Sequence, residues 1–103
     1  MSTERERQFE EMVAEFPDSP MAHFSLGKVY LEGRRYQDAA RTLEEALRLD
    51  PDYAAAMVSL GDAYSSLGEK EKARAVLERA RKTALGQSHP SLAEEIDERL
   101  REL

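Results

Sequence analysis

The sequence predicts an all-α protein made of antiparallel helical hairpins stacked side by side. Three observations predict it. The stretch FSLGKVY at Phe24–Tyr30 nearly recurs as VSLGDAY at Val58–Tyr64, 34 residues further on. Around both stretches, apolar and small residues return every three or four positions, the stripe of a helix with one buried face. Leu and Ala are abundant, while the chain holds only 4 prolines and 5 glycines among its 103 residues, a balance that suits helices.

Sliding the chain by 34 residues aligns Asp18–Pro51 with Asp52–Leu85. The matches are Asp18/Asp52, Ala22/Ala56, Ser25/Ser59, Leu26/Leu60, Gly27/Gly61, Tyr30/Tyr64, Ala39/Ala73, Leu43/Leu77, Glu44/Glu78 and Ala46/Ala80. Each unit reads as two helices. The first runs near Pro20–Glu32 and again near Ala54–Leu67. Asp18 or Ser19 caps the first copy, with Pro20 where a helix tolerates it. Gly33 and Gly68 mark the stops, because glycine accepts the left-handed conformation at a helix end. The second helix runs near Tyr36–Leu49 and again near Glu69–Leu85. Asp50-Pro51 closes the first copy, since the residue before proline is pushed out of helical geometry. Gly27 with Ala39, and Gly61 with Ala73, let the paired backbones approach. A mid-helix glycine costs about 1 kcal/mol relative to alanine, so two at the same phase imply close packing that repays it.

The ends extend the pattern. One period earlier, Pro17 takes the place of Pro51, Phe9 that of Leu43 and Met12 that of Ala46. Residues 3–16 therefore read as a lone second helix, a half repeat, with Phe9, Met12, Val13 and Phe16 on its apolar face. Residues 18–51 and 52–85 are the two full units. Gly86 is expected to stop the helix before it, and Gln87–Pro90 to turn. Residues 90–103 then form a polar-backed closing helix with Leu92, Ile96, Leu100 and Leu103 on one side and a Ser91–Glu94 capping box. A terminal unit needs a polar outer face. The count is about six helices in one domain, 1–103.

Composition and motifs narrow the function. The net charge of −6 argues against nucleic acid and against a polybasic membrane surface. No run of 18 apolar residues is present, and MSTERERQFEEM has no leader-like apolar segment. The chain has no cysteine, which excludes a thiolate metal site and a cysteine nucleophile and fits a cytoplasmic setting. His23 and His89 stand apart, outside any ligand spacing, so no metal or cofactor is expected. His23 reads as a packing residue and His89 as a turn residue. Gly27 and Gly61 are single and intrahelical, unlike a phosphate loop. Glu44-Glu45, Glu94-Glu95 and Asp97-Glu98 read as solvated faces rather than acid/base pairs. Ser25 and Ser59 have no histidine base beside them. The chain is not expected to be an enzyme.

The pattern Leu26-Gly27-x-x-Tyr30, then Ala39, Leu43, Ala46 and Pro51, resembles a tetratricopeptide repeat. The second copy keeps Leu60, Gly61, Tyr64, Ala73, Leu77 and Ala80, and the likeness spans residues 18–85. The departures are His23 and Met57 where the family often has Trp, Leu85 for the closing proline, and Arg34 at the usual turn glycine. The resemblance implies a short right-handed superhelix whose concave groove is lined by the first helix of each unit, at positions 2, 5, 9 and 12. With Pro20 and Ala54 as position 1, these are Met21, Phe24, Lys28 and Leu31, then Ala55, Val58, Asp62 and Ser65. Phe24 and Val58 are expected to be exposed there, as an apolar patch bordered by Lys28 and Asp62.

Such a patch implies a protein partner, laid in the groove as an extended segment or an amphipathic helix. Some family members grip a C-terminal carboxylate with Lys and Asn side chains. The corresponding positions here are Phe24, Lys28 and Ser59, so that clamp is absent. Self-association into a homodimer, through the array ends or the groove, is the other reading.

Overall fold

The computed structural model describes residues 2–103 and contains six helices. They are α1 (Glu4–Glu15), α2 (Pro20–Glu32), α3 (Tyr36–Leu49), α4 (Ala54–Ser66), α5 (Lys70–Gly86) and α6 (Pro90–Glu102). No strand occurs among the described residues. Each helix packs on its sequence neighbours, α2 against α3 and α4 against α5 most extensively, and α2 also touches α4. The glycine at the same place in each hairpin sets the spacing. A Cβ on Gly27 would lie 2.6 Å from Leu43 Cγ, and one on Gly61 would lie 2.8 Å from Leu77 Cγ. Any side chain there would drive the helices apart, because Leu43 and Leu77 are buried and have nowhere to move.

The core follows the apolar stripe. Leu43, Met57, Leu77 and Ile96 are its largest fully buried side chains. Each contributes about 1.5–3 kcal/mol by leaving water. The two places where the expected Trp is missing are filled differently. Met57 is wholly buried. His23 is buried with Nε2 2.8 Å from the Pro17 carbonyl, so that nitrogen donates and pins the α1–α2 turn to α2. Polar contacts repeat with the same period. The Tyr30 hydroxyl donates to Glu10 on α1, and the Tyr64 hydroxyl donates to Glu44 on α3. Burial first, then the adjacent carboxylate, raises both phenol pKa values, so both hydroxyls stay protonated donors.

The turns correct the glycine expectation in part. Three left-handed residues end helices: Arg34 with φ 60°, Gly68 with φ 77° and Ser88 with φ 60°. Each is followed by an N–H that reaches back to a carbonyl near the helix end: Arg35 to Tyr30 at 2.9 Å, Glu69 to Tyr64 at 2.9 Å, and His89 to Ala84 at 2.8 Å. This is the closure a left-handed residue makes possible. Gly68 fulfils its expected role. Gly33 has φ −84°, and Arg34, one period before Gly68, takes the left-handed position. Gly33 instead makes room, since a Cβ on it would lie 3.2 Å from Glu6 Oε2. Gly86 does not stop α5 either. It is the last residue of that helix, and the stop falls at Ser88.

Two caps also differ from expectation. Ser19, not Asp18, accepts from the Ala22 N–H at 3.2 Å. The Ser91–Glu94 capping box does not form. Pro90 has its φ preset for the first helical position, so α6 begins there with His89 as N-cap and Ser91 already inside. A capping box does form at α1, where Thr3 Oγ1 accepts from Glu6 N–H at 3.1 Å and Glu6 Oε1 accepts from Thr3 N–H at 2.7 Å. Glu6 is only 3% exposed and lies 3.3 Å from Arg35 of the α2–α3 turn. The Thr3 N–H, then the Arg35 charge, hold its carboxyl below the usual carboxylate pKa against the opposing pull of burial.

Two outcomes follow. A non-glycine left-handed residue costs about 1–2 kcal/mol, and glycine loses about 0.5–1 kcal/mol of that advantage through chain entropy. Arg34 is exposed with no ion pair among the described residues, so Arg34→Gly raises stability by about 0.5–1 kcal/mol and Tm by a few degrees. A thermal melt with an unchanged or lower Tm contradicts this. The depressed Glu6 pKa stabilises the fold above the ordinary glutamate range, and that stability is lost as pH falls through the folded value. Glu6→Gln therefore flattens the acid limb of the stability–pH curve. An acid limb as steep as that of the wild type counts against it.

Candidate functional site

The first helices meet along a groove that encloses about 280 Å³, and α2, α4 and α6 all line it. From α2 come Phe24, Lys28 and Leu31, and from α4 come Ala55, Val58 and Asp62. The sequence reading named all six, and the structure brings them together. Met21 and Ser65 fall outside this lining. Met21 is 67% exposed near the start of α2, and Ser65 borders a smaller cleft with Asp62 and Arg99.

The expected apolar patch is smaller than the sequence suggested. Val58 is 6% exposed and belongs to the core, so it supplies little free surface. Leu92, Glu95 and Arg99 of α6 line the same groove. Phe24 is half-buried, its ring 5.0 Å from that of Tyr53 and tilted by 39°. Burial, then the charge of Asp50, raises the Tyr53 pKa. The apolar surface that remains is the Phe24–Tyr53 pair with Leu31 and Ala55.

The charges divide into tied and untied. Asp62 is not a free border residue. Arg99 grips it with two bonds, Nε at 2.8 Å and Nη2 at 3.3 Å. The hydrogen bond to Asp62 raises the Arg99 pKa, so this cation is permanent. Glu32 at the groove edge is held by Arg5 at 2.7 Å. Lys28 is exposed and has no carboxylate partner among the described residues. Its ammonium stands 5.6 Å over the Phe24 ring, a cation–π contact. An unpaired cation beside an aromatic pair suits a ligand that brings an apolar side chain and a carboxylate together.

Leu92, Glu95 and Arg99 were missed by the sequence reading, which took α6 as a closing helix alone. The available signal was the length of α5. It has 17 residues where α3 has 14, and Leu85 stands where Pro51 ends the first unit. The longer α5 puts α6 out of the 34-residue register, and Leu92, Glu95 and Arg99 follow Ala55, Val58 and Asp62 by 37 positions. No group of three or more His, Asp or Glu side chains suited to a metal occurs among the described residues. No described helix is long and apolar enough to cross a membrane.

Comparison with known proteins gives consistent matches. The family model described as tetratricopeptide repeat matches residues 6–40 and 24–90. The TPR repeat-containing protein PA0015 of Pseudomonas aeruginosa is 32% identical over 94 residues, covering 91% of this chain and 90% of that protein. The solution structure of BPP2914 from Bordetella parapertussis superimposes with TM-score 0.83 at 28% identity, over 99% of this chain and 88% of that one. The TPR2B domain of yeast Sti1, solved as a complex with pHsp70, gives TM-score 0.89 at 20% identity, over 93% of this chain and 77% of that one. At that identity the last likeness speaks for the fold alone.

The Arg99–Asp62 pair is half-exposed, so its removal is expected to cost little: Asp62→Asn lowers stability by about 0.2–1 kcal/mol. Its larger effect is local. Amide exchange in α6 quickens relative to α2 and α3, and a uniform change across all six helices contradicts this.

Proposed function

Because the chain belongs to the tetratricopeptide repeat family, whose members generally serve as protein–protein interaction modules, we propose that it is a non-catalytic module that receives a protein partner in the groove across α2, α4 and α6. In this reading the partner lays down an extended segment or one face of a helix, and the setting is cytoplasmic. Residues 18–51 and 52–85 act as the two full units, flanked by the half repeat 3–16 and the closing helix 90–103.

The observation that carries the proposal is Lys28. Asp62 and Glu32 are both neutralised within the chain, while Lys28 faces the groove without a counter-ion, beside the Phe24–Tyr53 pair. Leu31 and Ala55 extend the apolar contact, Met21 and Ser65 flank it, and Val58 and Asp62 support it from behind. Desolvated aromatics at the centre of an interface carry most of its energy, and a rim cation adds on-rate and register.

Self-association is the second reading. Phe16, at the C-cap of α1, is 54% exposed and Met21 is 67% exposed, and this apolar surface supports the reading. The C-terminal end offers less, because the outer face of α6 carries Glu94, Glu98 and Arg101.

Crosslinking pull-down from native cells supplies the partner, and two variants then test the site. Lys28→Glu and Phe24→Ala each weaken binding at least about tenfold while helical content is kept, as expected of interface hot spots. Val58→Glu unfolds the protein instead, since it places a charge in the core. Partner binding unchanged in both folded variants overturns the groove proposal. Light scattering decides the second reading, and a monomer at high micromolar concentration removes it.

A further inference from the structure

The other layer of helices carries a second groove, between α3 and α5 and floored by α4, which shares no lining residue with the first. Its floor is apolar, with Leu47, Val76 and Ala75 beside the Tyr64 ring. Its rim is cationic: Arg48, Lys72 and Arg79. Three cations gathered at one groove stand out in a chain of net charge −6.

The repeat provides an internal comparison. One period earlier, the places of Arg48, Lys72 and Arg79 are held by Ala14, Asp38 and Glu45. One contact recurs in both copies, the tyrosine–glutamate bond between adjacent helices, Tyr30 to Glu10 and Tyr64 to Glu44. The helix-to-helix contact therefore forms without the cations. The first copy has cations of its own nearby, Arg35 at 4.6 Å over the Tyr30 ring and Arg41 at the place of Ala75, both tied to Asp38, so what sets the second copy apart is that Arg48, Lys72 and Arg79 stand around one groove.

The cations are held but not consumed. Arg48 gives Nε and Nη2 to Glu45, while its side chain stays 65% exposed. Arg79 gives Nη2 to the Pro51 carbonyl. Lys72 stands 3.7 Å from Glu69 and 5.6 Å over the Tyr64 ring, with 64% of its side chain exposed. Each can still direct a charge toward a ligand lying in the groove.

We propose that the α3–α5 groove binds an acidic amphipathic helix of a protein partner, independently of the α2–α4–α6 groove. A third helix laid between two neighbouring helices packs ridge into groove, and its apolar face meets Ala75 and the half-buried Tyr64 ring, with the nearly buried Leu47 and Val76 beneath. Asp and Glu on its flanks meet Arg48, Lys72 and Arg79. A nucleic acid fits less well. Glu44 lines the same groove, Glu71 and Glu78 stand on the same helix as Lys72 and Arg79, and the chain as a whole repels a polyanion.

The test is a fluorescence anisotropy titration with a labelled helical peptide of Leu and Glu, compared with its Leu and Lys counterpart. The acidic probe binds, more weakly as salt rises toward screening at about 1 M, and the basic probe does not. Arg48→Glu with Lys72→Glu weakens the acidic probe at least about tenfold, and Lys28→Glu in the other groove leaves it unchanged. Arg48→Gln with Lys72→Gln weakens it less, and this pair decides the matter if the charge-reversed protein fails to fold by circular dichroism. The proposal is overturned by absence of acidic-probe binding, by equal binding of the basic probe, by full affinity in the folded double variants, or by loss of binding in Lys28→Glu.

Discussion

The approach of Gly27 to Leu43, and of Gly61 to Leu77, is the constraint on which the rest of the molecule depends. A missing Cβ lets two helices come within side-chain contact of backbone, and that distance sets where everything else lies. It places Tyr30 and Tyr64 so that their hydroxyls reach the preceding helix. It leaves Leu43, Met57 and Leu77 sealed from water. It also makes the two hairpins alike, which lets α2 and α4 stand side by side and share a groove with α6. Helix propensity is sacrificed at two positions, and close packing returns more than that loss.

The period and the apolar stripe made the fold class legible, because both follow from burial, which leaves a mark every three or four residues. Backbone detail was less legible. Gly33 looked like a helix stop because glycine usually fills that role, yet the left-handed turn fell on Arg34 and the glycine served to admit Glu6. The tertiary neighbour, 27 positions earlier in the chain, decided what that glycine was for. The α6 capping box failed for a local reason, since Pro90 starts the helix two residues sooner. In the groove, the α2 and α4 positions could be read from the repeat. The α6 contribution could not be read by equal spacing, because the lengthened α5 broke the register before α6 began.

Val58 and Asp62 differ from the groove-lining character that the repeat pattern suggests. Arg99 binds Asp62 and Val58 belongs to the core, so the α4 part of the groove offers little free chemistry and the α2 part offers more. Lys28 and the Phe24–Tyr53 pair become the free chemistry of that surface. Repeat architectures tolerate such divergence because packing residues and surface residues occupy separate faces of the same helix. Arg48, Lys72 and Arg79 against Ala14, Asp38 and Glu45 show that separation on the other layer.

The order of packing has a consequence for how the chain acquires its structure. Apart from the α2–α4 contact and the Arg99–Asp62 tie, helices touch mainly the ones before and after them in the chain. Contacts between near neighbours in sequence need little loop closure, and proteins of that kind reach the native state in microseconds to milliseconds. Stability in such a chain is a sum of neighbour terms along a line. The middle, where α3 and α4 each have a helix on both sides, is the last part to open, and loss of order proceeds inward from α1 and α6.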